Sequence, residues 1–131
     1  MVLRRLVYAN AGHAPVIYCP AGGEAVLLEA DAPAVGILPM SLSADHEMDF
    51  GVGDVLVVAT DGFNEARNGQ GEMLGYERLM VLVEKMADRS AEEIGAALFE
   101  EVWRFGNGRF QDDDQTLMVI KGVALDKEDV A

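Results

Sequence analysis

A single cysteine, Cys19, stands in 131 residues. No disulfide can close within the chain, and no CxxC pair is available for zinc or redox chemistry. Basic residues are also few: ten Lys and Arg face 23 Asp and Glu, for a formal net charge of −13 and a pI near 4.3. The ten form no cluster, which sets aside nucleic acid and anionic membrane as partners, because phosphate-rich surfaces require concentrated positive charge. An acidic surface suits divalent cations or basic partners, or serves solubility alone. No apolar run is long enough to span a bilayer and the N-terminus has no secretory pattern, so a reducing cytoplasm is expected. GxSxG, Walker-type phosphate-loop and EF-hand spacings are absent too, leaving acyl transfer, P-loop chemistry and calcium without residues to carry them. There is no internal repeat, low-complexity tract or interdomain linker. What is present is 50% hydrophobic residues in one domain's length, enough for a real core.

The stretch around which the rest is arranged is Val55 to Asn68, VLVVATDGFNEARN. Val55 to Ala59 is an apolar run that fits a strand buried on both faces, ended abruptly by Thr60-Asp61-Gly62. Ahead of it, Leu3 to Asn10 and Val16 to Cys19 read as strands of a hairpin around Gly12-His13-Ala14-Pro15. Ala21-Gly22-Gly23-Glu24 turns into a third strand, Ala25 to Glu29. Asp31 to Ser43, with Pro33, Gly36 and Pro39, is a loop leading to a polar strand from Ala44 to Phe50. After the turn, Leu79, Met80, Leu82, Val83 and Met86 recur at helical spacing within Tyr76 to Ala87. Ser90 and Glu93 form a capping box for a second helix with an Ile94, Ala97, Leu98, Val102, Phe105 stripe, ended by Gly106. The methionines and aromatics of these helices, Trp103 included, read as core. Thr116 to Lys121 is a last strand, and 124–131 a charged, frayed tail. Strands, then helices, then one strand predict an α+β fold with an antiparallel sheet.

Two acidic islands could carry chemistry. Asp61 ends the core strand, where Gly62 lets the chain turn away and a carboxylate is held at a fixed position. Its plainer role is to N-cap the following segment. Asp112-Asp113-Asp114 precedes the strand Thr116 to Lys121, and reads otherwise as a solvated loop. If that strand lies beside Val55 to Ala59, the two islands meet at one sheet edge, and such oxygen donors suit Mg²⁺ or Mn²⁺. His13 reads as a turn histidine and His46 as a surface residue. Cys19 has no partner base.

Taken in order, Tyr8-Ala9-Asn10-Ala11-Gly12-His13-Ala14-Pro15, Gly36-Ile37-Leu38-Pro39, Gly53-Asp54, Thr60-Asp61-Gly62-Phe63-Asn64-Glu65-Ala66-Arg67-Asn68 and Asp113-Asp114-Gln115-Thr116-Leu117 resemble the bacterial SpoIIE/RsbU-type serine phosphatases. The resemblance covers nearly the whole chain. It implies a PPM (PP2C-like) β-sandwich flanked by helices, two Mn²⁺ or Mg²⁺ ions, and a phosphoserine or phosphothreonine protein substrate such as a STAS-type anti-anti-sigma factor. Carried over by motif, Asp61 and Asp113 are metal ligands and catalytic positions. Gly62 counts among the metal-binding positions, and Asp114 supports the site. No role follows for Asp112, and no catalytic role for His13. The family's earlier glycine-aspartate stretch, with its bridging Asp, is not found here. Residues 1–123 are therefore expected to be the C-terminal portion of an incomplete domain, with 124–131 as tail and little or no activity from this chain alone. A homodimer that covers exposed sheet edges is expected. The other reading is an inactive, phosphatase-like module that binds a regulatory protein.

Overall fold

In the computed structural model, residues 4–39, 44–108 and 113–125 are described. They form six strands and three helices in the order β1 (Arg5–Tyr8), β2 (Val16–Cys19), β3 (Val26–Leu28), β4 (His46–Asp49), β5 (Val55–Ala59), α1 (Asp61–Asn64), α2 (Tyr76–Met86), α3 (Ala91–Phe105) and β6 (Leu117–Lys121). All strand pairs are antiparallel. One sheet runs β3-β2-β5-β6, and a second holds β1 and β4.

Alternation along the strands sorts the side chains of the larger sheet into two faces. Ile17, Cys19, Val55 and Val57 point to α2 and α3, where they join Leu79, Val83, Ile94, Leu98 and Val102 in the buried core. Tyr18, Leu56 and Val58 point the other way. The Tyr18 and Phe50 rings approach to 6.4 Å there, and Tyr8, Val16, Leu28, Leu56 and Val58 line a cavity of about 220 Å³. The result is a layer of helices on one sheet and a small second sheet on its far face, an α+β fold with antiparallel sheets.

The expected hairpin of the first two strands does not form. β1 pairs instead with β4, in the register Arg5↔Asp49 to Tyr8↔His46, with an Arg5–Glu47 ion pair across it. The corner between β1 and β2 is too elaborate for a tight turn. Asn10 is buried, and its side chain accepts from His13 N at 2.8 Å and donates to Ala14 O at 3.3 Å. Gly12 sits at φ +83, and a β-carbon there would lie 2.5 Å from Ala34 N. This knot, with the bridge Ala11↔Ala32, carries the chain from one sheet to the other.

Other boundaries tighten. The first strand is Arg5–Tyr8 and stops short of Asn10, the expected start at Leu3 lying outside the described residues, and the fourth is His46–Asp49 rather than Ala44 to Phe50. Ser90 caps α3 as expected, accepting from Glu93 N at 3.1 Å. Gly106 ends that helix at φ −77, while the left-handed turn falls on Asn107 and Gly108. Trp103 is not core: it is 60% exposed. Residues 40–43 of the expected loop, Asp112, and residues 126–131 of the expected tail lie outside the described residues. No described helix is long and apolar enough to cross a membrane.

His46 joins the Asp31 loop to the smaller sheet: its Nε2 lies 2.8 Å from Asp31 Oδ2, and its ring stacks on Tyr8 at 5.2 Å. The bond to His46, more than that from Ala44 N, holds the Asp31 carboxyl below its ordinary range. A depressed carboxylate contributes stability that is complete above the unfolded value, about 3.9, and lost as pH falls through the folded value. Asp31→Asn should therefore lower the urea midpoint at neutral pH, with the difference from wild type shrinking below pH ~4. A difference that does not change with pH in that window would exclude this linkage.

Candidate functional site

β5 delivers Asp61 to the edge of the larger sheet, and β6 starts there. Their register ends on Ala59↔Leu117, so the residues just beyond each strand are thrown together. Thr60 N donates to Thr116 O at 3.0 Å, and Thr116 N donates to Thr60 Oγ1 at 3.1 Å. The same hydroxyl reaches Asp114 O at 3.1 Å. Thr60 is the N-cap of α1, yet its side chain makes no cap bond because it is engaged across the sheet edge. Asp61 is thus the first residue of α1 and not its N-cap, which corrects the plainer expectation.

Gly62, next to Asp61, packs directly against the second island. A β-carbon there would lie 2.2 Å from Asp114 O, and Gln115 Nε2 donates to Gly62 O at 3.1 Å. The Gly62 carbonyl keeps a second lone pair. Asp61, Asp113 and Asp114 are exposed, and Asp113 Oδ1 accepts from Asp114 N at 2.8 Å. Tyr76, at the start of α2, borders this edge. Burial raises its hydroxyl above the ordinary value, and the Asp61 and Glu65 charges add to that. The backbone therefore gathers the two acidic islands. Among the described residues, however, no three His, Cys, Asp or Glu side chains form a group that could hold a metal ion.

Their donor chemistry suits one kind of guest. Carboxylates and a main-chain carbonyl, with no imidazole or thiolate, match Mg²⁺ or Mn²⁺ better than Zn²⁺. Asp61, Asp113 and the Gly62 carbonyl are the oxygen donors this edge offers, with Asp114 beside them, but the side chains are not gathered round one point.

His13 lies elsewhere. Its Nδ1 donates to Ala14 O at 2.9 Å, and it lines the cavity between the sheets with Tyr8 and Asn10. His46 is the expected surface residue, 44% exposed at its side chain. The sequence reading gave Thr60 and Gln115 no role, although they flank the acids at Asp61 and Asp114 and fasten the edge. Only the strand pairing reveals that function. Asp54, from the Gly53-Asp54 pair, sits at the other end of β5 and bonds to Gly51 N, Ala21 N and the Tyr18 hydroxyl.

Residues 1–122 match the model of the family described as Stage II sporulation protein E (SpoIIE). Protein IcfG of Synechocystis sp. is 34% identical over 116 residues, which is 88% of this chain and 18% of that protein. The SiaA-PP2C domain of Pseudomonas aeruginosa superposes with a TM-score of 0.76 at 22% identity, covering 90% of this chain and 46% of the other. The phosphatase domain of the cell fate determinant SpoIIE from Bacillus subtilis, Mn presoaked, gives 0.66 at 19% identity, covering 93% and 52%. At these identities the two structures speak to fold alone. This chain spans about half the length of those two solved chains and less than a fifth of IcfG.

Proposed function

The chain belongs to the SpoIIE family, and from that premise we propose that it is the metal-binding, substrate-facing part of a PPM-type serine/threonine protein phosphatase domain. The substrate is a phosphoserine or phosphothreonine on a cytoplasmic regulatory protein, of which a STAS-type anti-anti-sigma factor is the leading candidate, and the cofactor is Mn²⁺ or Mg²⁺. The observation that supports this reading is the clasp of Thr60-Asp61-Gly62 against Asp114-Gln115-Thr116. It makes two acidic segments, distant in sequence, one edge.

Bound there, the metal would supply an activated water and a counter-charge for phosphoryl oxygens. The chain's own residues do the positioning. Asp61 and Asp113 would be the ligands and Asp114 their support. Thr60 and Gln115 lock the Gly62 carbonyl and the Asp61 turn so that the donors are not free to drift. Because no three acidic side chains converge at this edge among the described residues, we expect little or no turnover from this chain alone. The same sparse set favours a second reading, a phosphatase-like module that binds its regulatory protein without catalysis. Self-pairing belongs to the proposal too: Met118 and Ile120 leave an apolar row exposed on the outer face of β6, and a light-scattering mass of one chain would remove it.

Mn²⁺ titrated calorimetrically into the 131-residue chain tests the site. We expect one weak binding event, weakened at least about tenfold by Asp61→Ala or Asp113→Ala. A phosphatase assay on the same samples separates enzyme from binder. Mn²⁺ binding of equal strength in wild type and both variants would refute the shared site.

A further inference from the structure

Asp61 stands at the end of a strand with a neighbour on each side, and the clasp accounts for one of them. In the order β3-β2-β5-β6, Asp114-Gln115-Thr116 lies on the β6 side of β5, and β2 lies on the other. β2 runs antiparallel to β5 with Ile17 opposite Val57. His13 is four residues ahead of Ile17, and Asp61 is four beyond Val57. The corner that carries His13 and the turn that carries Asp61 therefore leave the same end of adjoining strands, which lie about 5 Å apart. The cavity of about 220 Å³ that His13 lines is also lined by Val58, three residues before Asp61.

The imidazole is arranged to accept a proton. Its Nδ1 lies 2.9 Å from Ala14 O, and a carbonyl oxygen only accepts, so Nδ1 carries the hydrogen and the neutral ring presents a bare lone pair at Nε2. His46, the chain's other histidine, spends its Nε2 on Asp31. The Nε2 of His13 has no such partner among the described residues, and the residue is exposed. Its backbone is fixed all the same. His13 N donates to the Oδ1 of buried Asn10 at 2.8 Å, and Gly12, at φ +83, sits where a β-carbon would meet Ala34 N at 2.5 Å.

The geometry points to His13 as the general base of the Asp61 site, a role that rests on the phosphatase reading above. Attack on a phosphate ester needs a group to take the water's proton, and Asp61 and Asp113 are committed there as ligands. Imidazole is the side chain best matched to that transfer near neutral pH. One O–H bond of the water breaks toward Nε2 as its oxygen bonds to phosphorus. The phosphorus–oxygen bond to the serine breaks, its electron pair stays on the serine oxygen, and the imidazolium returns the proton to that oxygen.

The two histidines give separate imidazole signals in a proton–nitrogen spectrum of the 131-residue chain. Mn²⁺ added well below stoichiometry should broaden the His13 ring signals more than those of His46, since paramagnetic relaxation falls steeply with distance. Asp61→Ala should remove most of that broadening. With p-nitrophenyl phosphate, whose leaving group needs no proton, slow Mn²⁺-dependent release is expected, and His13→Ala should cut kcat about a hundredfold. Mn²⁺ affinity and the urea midpoint should stay as in wild type, and imidazole added to the buffer should restore part of the rate, which a merely structural histidine would not allow. His13→Gln, whose amide can still reach Ala14 O, should lose as much and covers the case in which alanine loosens the corner. Bound Mn²⁺ that leaves the His13 signals sharp, no release of the ester, or a kcat within about twofold of wild type in either folded variant would overturn the base and leave the metal site standing. No Mn²⁺ binding by calorimetry would overturn both.

Discussion

Replacing Gly62 with alanine should lower the stability of the fold by about 2–4 kcal/mol, whereas the same replacement at Gly95 should raise it by about 0.5–1 kcal/mol. Both glycines are helical, in α1 and α3, and propensity alone would favour alanine at each. Their surroundings reverse the outcome at one of them. At Gly95 the new methyl would lie 3.6 Å from Leu117 Cδ1 and 3.8 Å from Val119 Cγ2, in ordinary contact distance. At Gly62 it would lie 2.2 Å from Asp114 O and 3.0 Å from the same carbonyl carbon. A main-chain atom cannot rotate aside, so the Asp113–Gln115 segment would have to move, breaking the Thr60 to Asp114 and Gln115 to Gly62 bonds with it. Urea unfolding should show a lowered midpoint at an unchanged slope. If metal binds as proposed, Gly62→Ala should also weaken Mn²⁺ while leaving every carboxylate in place. A Gly62→Ala protein within about 0.5 kcal/mol of wild type would show that the edge is not clasped in solution.

How far the sequence revealed this depends on the range of the forces involved. β5 is an uninterrupted apolar run because it lies between β2 and β6 and is covered on both faces, and its limits, Val55 and Ala59, are those the residues suggest. Ser90 and Glu93 announce α3 because capping is chemistry within four residues. The pairing of β1 was not legible, since strands near in sequence pair only if the corner between them permits it. Asn10 and Gly12 make that corner a knot between sheets. Trp103 was misread because helical spacing identifies a stripe but not how wide the covered face is. The core takes Ile94, Leu98 and Val102, and the next stripe round the helix is left to solvent. At the candidate site, both acidic islands and their meeting at one edge could be anticipated from the motif and a conditional strand pairing. The hydroxyl of Thr60 and the amide of Gln115, which fasten that edge, could not, because neither residue type is distinctive until its partner is known.

Asp54→Ala should cost about 2–4 kcal/mol and leave the Asp61 edge intact. The carboxylate ties two turns together at the end of the sheet away from Asp61. Its Oδ2 accepts from Gly51 N at 2.8 Å and from the Tyr18 hydroxyl at 3.3 Å, and its Oδ1 accepts from Ala21 N at 2.8 Å. Truncation leaves two main-chain donors and a phenol without their acceptor, and the three bonds are lost together. Asp54→Asn keeps one acceptor oxygen and should lose less. Tyr18 gives a local readout. Burial first, and then Asp54, hold its hydroxyl above the ordinary value. Its share of stability is therefore complete below pH ~10 and lost as pH rises through the folded value. In Asp54→Ala the Tyr18 absorbance titration should move down, but not fully to the free value, because burial remains. β5 separates this turn from Asp61 by about 17 Å at a strand's rise. Mn²⁺ affinity measured where both proteins are folded should thus match wild type. A loss of Mn²⁺ binding in folded Asp54→Ala would mean that the two ends of β5 are mechanically coupled, and that the metal-binding edge depends on the whole sheet rather than on the Thr60–Gln115 clasp.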